Sequence, residues 1–180
     1  MTEEKDNSLE DNGNYLFLED FTFESVRPVI EWILKENFTT GKRRKKRLML
    51  IIGSHGGELD AMWALTDVML GSSIPVDTLG LGTIASAGFM TFIAGKKRYL
   101  TDNTAILSHQ YSWASVGKHH ELVATTKQFE ITHQRMIAHY QKCLKMSKKK
   151  VLDNLLTPED KWLTSEEALE LGVCHEIRTL

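Results

Sequence analysis

The sequence predicts an α/β protein built on a parallel sheet. Three observations predict it. Short apolar runs of strand length end in glycine or small residues, amphipathic stretches of helical period separate them, and the residues able to do chemistry fall just after the runs. At 180 residues and 42% hydrophobic content, the chain is long enough for one domain with a substantial core.

The first fourteen residues carry Glu3, Glu4, Asp6, Glu10 and Asp11 and little apolar surface, which predicts a disordered acidic tail over 1–14 and a single domain over 15–180. This start has neither the basic residues nor the apolar run of a secretory signal, which predicts a cytoplasmic protein. Tyr15 to Phe17 reads as a short strand. Ser25 is placed to cap a helix running to Glu36, with Val26, Val29, Ile30, Ile33 and Leu34 at helical spacing and Pro28 in the first turn.

Leu48 to Ile52 is a continuous apolar run followed by glycine, as expected of a strand covered on both faces, and His55-Gly56-Gly57 forms its terminal turn. Leu59 to Met69 has helical periodicity. Val76 to Leu81 is the next strand, Ser86 opens the next helix, and Ala105-Ile106-Leu107 is a strand ending near His109. The resulting βαβαβ order implies right-handed crossovers. A long helical pattern then occupies Lys118 to Ser147. Its Leu122, Val123, Phe129, Ile131, Met136, Ile137, Tyr140 and Leu144 supply more apolar surface than packing on one core requires, which predicts self-association.

Several function classes are disfavoured. A net charge of −2 argues against a dedicated nucleic-acid binder. The basic run Lys42 to Arg47 sits between a helix and a strand and reads as an exposed loop. The low-charge window Thr78 to Gly95 is glycine-rich and at the short limit for a membrane span, so a buried strand and helix are expected there and no membrane association. Cys143 and Cys174 form no disulfide framework or CxxC site. His119, His120, His133 and His139 lack zinc-type spacing, so no metal or other cofactor is expected.

The chemistry points to Ser86. It lies in Gly82-Thr83-Ile84-Ala85-Ser86-Ala87-Gly88, after the Gly56-Gly57 pair and before His109. Small neighbours leave room for a substrate carbonyl, paired glycines let backbone N–H groups approach an oxyanion, and a histidine can take the hydroxyl proton. That combination describes acyl transfer, most simply amide hydrolysis. An α/β-hydrolase elbow needs glycine where Ile84 stands. A serine flanked by alanines is, taken alone, more often a close-packing site.

Five motifs in this order carry a family resemblance: Gly53-Ser54-His55-Gly56-Gly57, the Gly82 to Gly88 run, Lys96-Lys97-Arg98-Tyr99, Ser108-His109-Gln110 and Ser165 to Gly172. Across residues 15 to 178 the chain resembles the Clp protease proteolytic subunit, a self-compartmentalising serine peptidase. The resemblance implies a ClpP/crotonase-like fold of repeated ββα units in a spiral, with a protruding handle over about 111–147. It implies Ser86 as nucleophile, His109 as general base, and Gly57 and Ala87 as oxyanion donors. It also implies heptameric rings stacked as a tetradecamer, an AAA+ unfoldase as partner, and unfolded proteins or peptides as substrate.

The third member of the catalytic set is left open. Reading forward from Ser147 puts the family's aspartate at Asn154, whereas reading back from Trp162 puts it at Leu156. Asn154 is the first choice, because an amide oxygen can orient an imidazole, with Asp153 and Asp160 as alternatives. His55 and Tyr111 stand where the family usually has proline, and the acidic start replaces its apolar axial segment. These departures resemble phage-encoded members. The alternative function is a catalytically weak or inactive ring subunit serving as scaffold.

Overall fold

The computed structural model describes residues 8–179. They divide into two compact units: one runs up to Leu107 and resumes at Trp162, and the other spans Ser108–Lys161. The sequence reading has one domain from residue 15 on, with a handle that falls inside the second of these units.

The first unit is organised on a sheet whose strands run β1 (Asn14–Phe17), β2 (Leu48–Ser54), β3 (Val76–Ala85), β4 (Arg98–Leu100) and β7 (Glu176–Ile177), each parallel to its neighbour. β3 is ten residues long and changes partner along its length. Thr78 to Gly80 pair with β4, and Thr83 to Ala85 pair with β5 (Ala105–Ser108). The change falls at Gly82, whose φ of 60° is freely available only to glycine. β5 in turn carries β6 (Lys161–Leu163).

β2 departs from the sequence reading in one respect. Leu48, Leu50, Ile52 and Ser54 are buried, while Met49, Ile51 and Gly53 are half-covered, so only one face of the strand is sealed. The core gathers Phe17, Phe21, Val29, Leu50, Ile52 and Leu65 with the whole of α3 (Ala87–Ile93), every residue of which is buried. Each such large side chain contributes about 1.5–3 kcal/mol by leaving water.

Helix α1 (Phe23–Phe38) begins earlier than its apolar spacing suggests. Thr22 is the cap, and its hydroxyl accepts the Ser25 N–H at 3.1 Å while the Ser25 hydroxyl accepts the Thr22 N–H at 3.0 Å. Two hydroxyls thus satisfy two orphan donors reciprocally, and Pro28 lies a turn deeper than expected. Helix α2 (Leu59–Gly71) follows the glycine turn as read. The stretch Ser8 to Asn14, expected within the tail, is folded: Glu10–Asn12 form a 3-10 turn and Asn14 enters β1. Its stabilisation is by backbone bonds, among them Met49 N–H to Gly13 O at 2.8 Å, which an apolar count does not register. Residues 1–7 of that tail lie outside the described residues.

The basic run is tied down by its own unit. Arg47 makes a two-pronged ion pair with Asp77, whose side chain is 5% exposed. Arg44 donates to the Asn37 and Thr39 carbonyls and to the Ser73 hydroxyl.

The second unit is helical. α4 (His119–Leu144) ends at Lys145, which takes the left-handed conformation at φ 55°. Ser147 does not terminate that helix: it caps a new one, α5 (Lys148–Asn154), by accepting the Lys150 N–H at 3.2 Å. Only Met136, Ile137, His139, Tyr140 and Leu144 of α4 are buried, all in its C-terminal half. Leu122, Val123 and Ile131 in the first half are exposed. A short helix α6 (Ser165–Leu171), capped reciprocally by Thr164 and Glu167 and ended by Gly172 at φ 81°, returns the chain to β7 in the first unit.

Candidate active site

Ser86 joins β3 to α3 with φ 55° and ψ −121°, outside the regions open to residues with a side chain. Such a conformation costs on the order of 1–3 kcal/mol and persists only where its surroundings impose it. They do so from three sides. The Ser86 N–H donates to the Leu107 carbonyl of β5 at 3.0 Å, and its carbonyl accepts the Met90 N–H at 2.9 Å. Gly56 closes the third side, because a Cβ there would stand 2.7 Å from the Ser86 Cβ and 3.1 Å from the Ala87 nitrogen. The half-buried serine is thus turned sharply out of the end of a strand.

The glycine turn is held as firmly. Buried Ser54 accepts the Gly56 N–H at 3.1 Å and donates to the Glu19 carbonyl at 2.6 Å. Phe21 bridges the turn: its N–H donates to the Gly56 carbonyl at 2.7 Å and its carbonyl accepts the Glu58 N–H at 2.8 Å. A Cβ on Gly57 would lie 2.4 Å from the Phe21 carbonyl oxygen, so no side chain fits there. Gly57 has φ 142° and is exposed, and its N–H donates to no acceptor among the described residues. Ala87 opens α3, so its N–H has no carbonyl one helical turn back. The two residues expected as oxyanion donors therefore both carry uncommitted amides. An open cavity at the turn is bordered by Phe21, Thr22 and His55.

His109 and the candidates for its partner belong to the second unit. His109 is half-buried and held by its chain neighbours. Ser108 shares a buried hydrogen bond of 3.0 Å with the Tyr140 hydroxyl, and the Gln110 amide donates to the Leu156 and Thr157 carbonyls at 3.4 Å. Burial pushes the Tyr140 phenol far above its ordinary range, so it stays a neutral hydrogen-bonding anchor.

The three candidate partners differ in what they are already doing. The Asn154 amide nitrogen donates to the Lys150 carbonyl of its own helix at 2.9 Å. Asp153 is ion-paired with Lys149 on an exposed helix face. Asp160 is exposed and enters no ion pair among the described residues. It immediately precedes β6, and His109 immediately follows β5, the strand that β6 pairs with. Leu156, the position reached by counting backwards, is buried and apolar.

Two supports of the site escape a reading of motifs. Phe21 acts through its backbone, which no residue type announces, and Ser54 acts as a buried clamp inside a motif noticed for its glycines. Among the described residues no cluster of three His, Cys, Asp or Glu is placed to hold a metal ion. Among them, too, no helix is long and apolar enough to cross a membrane.

Comparison with known proteins agrees with this architecture. The family model for Clp protease matches residues 31–179. The ATP-dependent Clp protease proteolytic subunit 2 of Treponema pallidum is 31% identical over a stretch covering 73% of this chain and 66% of that protein. The subunit 2 of Thermobifida fusca is 31% identical over 76% of this chain and 67% of its own, and the subunit 1 of Leifsonia xyli is 32% identical over 74% and 68%. The chain thus spans about two thirds of the length of the curated relatives it matches. With a mixed fold of parallel strands and helices and a family match that takes in the serine turn, the glycine turn and the histidine, the chain belongs to the Clp protease family.

Proposed function

We propose that the chain is a serine endopeptidase of the ClpP type that hydrolyses peptide bonds through an acyl-enzyme. The observation that carries this reading is the forced conformation of Ser86 beside two uncommitted backbone amides, Gly57 and Ala87. A strained serine with preorganised donors beside it suits a nucleophile.

In the reaction, the Ser86 hydroxyl oxygen attacks the substrate carbonyl carbon while His109 takes the hydroxyl proton. The carbonyl oxygen becomes an anion and accepts hydrogen bonds from the Gly57 and Ala87 N–H groups. Collapse of the tetrahedral adduct breaks the C–N bond, and His109 returns the proton to the departing amine. Water activated by His109 then attacks the Ser86 ester, releasing the acid and restoring the serine.

For the residue that orients His109 we favour Asp160 over Asn154. Asn154 spends its amide on its own helix and Asp153 faces Lys149, whereas Asp160 makes no ion pair among the described residues and lies next to the strand paired with the one leading to His109. A carboxylate also stabilises the imidazolium formed during attack, which an amide does not.

The exposed apolar residues on the first half of α4 support assembly with further copies, and the reading takes this to be stacked heptameric rings enclosing the sites in the cytoplasm, fed with unfolded chains by an AAA+ ATPase. Labelling with an alkyl fluorophosphonate tests the chemistry. The reading expects covalent modification at Ser86, and no modification of a folded, assembled sample would favour a scaffold subunit.

A further inference from the structure

The glycine turn that carries the proposed oxyanion donor Gly57 opens on a cavity of about 500 Å³ within the first unit. Its size is that of a ligand pocket. Two of the groups lining it are carboxylates, Asp20 and Glu58, and His55 and Thr22 add to the polar wall. Asp20, His55 and Glu58 are exposed, and neither acid enters an ion pair among the described residues. Asp20 and His55 also border a second cavity, of about 400 Å³, which Glu19 lines as well. Among the described residues, no lysine or arginine lines either cavity.

Both carboxylates are mounted on the turn by backbone bonds. Glu58 follows Gly57 directly, so their Cα atoms are about 3.8 Å apart, and its N–H donates to the Phe21 carbonyl at 2.8 Å. Asp20 precedes Phe21, whose N–H donates to the Gly56 carbonyl at 2.7 Å, and the Asp20 carbonyl accepts the Ser25 hydroxyl at 2.7 Å. Two carboxylates are thus held close to the amide proposed to receive the oxyanion. Negative charge beside a developing anion opposes the bond-breaking step. A cation supplied by the substrate removes that opposition, and does so most in the transition state, where the charge on the oxygen is greatest.

We propose that this acidic rim makes the enzyme selective for peptides carrying a lysine or arginine close to the scissile bond. The inference rests on the peptidase reading, with Gly57 as oxyanion donor. Internally quenched peptides test it when one residue is varied in turn at each position flanking the cleaved bond. At the preferred position Arg should exceed Ala in kcat/KM by about three- to tenfold, as two partly exposed charge pairs supply, with Glu below Ala. Part of the gain should lie in kcat, and it should shrink at about 0.5 M salt. In the double variant Asp20→Asn, Glu58→Gln the Arg and Glu peptides should converge, and Asp20→Lys, Glu58→Lys should favour Glu. Both side chains are exposed, so these variants should keep the fold, which circular dichroism checks.

A second readout avoids catalysis. In Ser86→Ala, a fluorescently labelled Arg peptide should bind more tightly than its Glu counterpart by anisotropy, and the neutral double variant in the same background should remove the difference. Arg and Glu peptides treated alike by the native chain would overturn the rim, as would a preference that survives in the neutral and reversed variants. Discrimination in binding by Ser86→Ala, with neither hydrolysis nor fluorophosphonate labelling of the native protein, would keep the rim as a cation site and overturn the peptidase reading instead.

Discussion

Gly56 lies directly against Ser86: a Cβ added to the glycine would stand 2.7 Å from the serine Cβ. This single approach explains both the strained serine and the glycine pair, since the serine can occupy its turn only if the neighbouring turn has no side chain. Gly56→Ala must push Ser86 out of place and also carries an unfavourable φ of 110°. It should cost about 1–3 kcal/mol of stability and abolish fluorophosphonate labelling. Thermal melting and mass spectrometry of the labelled protein check the two effects.

Gly57→Ala should be at least as damaging for a different reason. Its Cβ would collide with the Phe21 backbone at 2.4 Å, so the turn must move and with it the Gly57 N–H proposed as oxyanion donor. A drop in kcat of about 10²–10³ is expected from the lost donor, read by peptide hydrolysis in samples whose folding is verified by circular dichroism.

The choice among partners for His109 makes a sharp contrast. Asp160→Asn should lower kcat by on the order of 10⁴, as loss of the orienting carboxylate does in serine proteases. Asn154→Ala should change kcat only a few-fold, about 1 kcal/mol or less, because its side chain serves the end of α5. The reverse pattern would return the role to Asn154.

How far the sequence announces this structure depends on the element. β2 and the start of β3 are legible because each is an apolar run closed by glycine, and Ser86, Gly57 and His109 stand out as candidates because they follow such runs. β4, three residues beginning with buried Arg98, shows no period that a sequence reading can detect. The break between α4 and α5 is equally silent, since Lys145 adopts a left-handed turn that sequence reasoning reserves for glycine or asparagine. Asp160 stands among the alternatives in the sequence but cannot be ranked there, since its proposed role draws on strand pairing between distant segments, which counting along the chain from either side does not supply.

The tail end of the first unit should respond to pH. The His175 ring accepts the Arg98 backbone N–H at Nδ1 (3.0 Å), while the His175 backbone N–H donates to the Arg98 carbonyl at 2.8 Å. Partial burial, with the Arg98 and then the Lys97 charges, holds the ring below the usual histidine range, against the opposing pull of the Arg98 backbone hydrogen bond and of Asp77. The unfolded chain therefore takes up the proton first as pH falls. Stability from this group is complete above the ordinary histidine pKa of about 6.5 and declines below it, until the folded form protonates as well. His175→Gln should flatten the melting temperature against pH on the acidic side, and an unaltered slope would remove His175 as the cause.

The buried Ser108 and Tyr140 hydroxyls give a test of how His109 is anchored. Tyr140→Phe leaves the Ser108 hydroxyl without this partner and should cost about 1–3 kcal/mol, whereas adding Ser108→Ala should restore part of the loss. Denaturant melts of both single variants and the double variant give the coupling.

Whether Ser86 is an activated nucleophile is decided by peptide hydrolysis paired with active-site labelling and oligomer mass on the same samples. The native chain should cleave a fluorogenic peptide and be labelled at Ser86, and Ser86→Ala should lose both at unchanged mass. Cleavage that persists in Ser86→Ala, or a native assembly that neither cleaves nor labels, would contradict that role for Ser86.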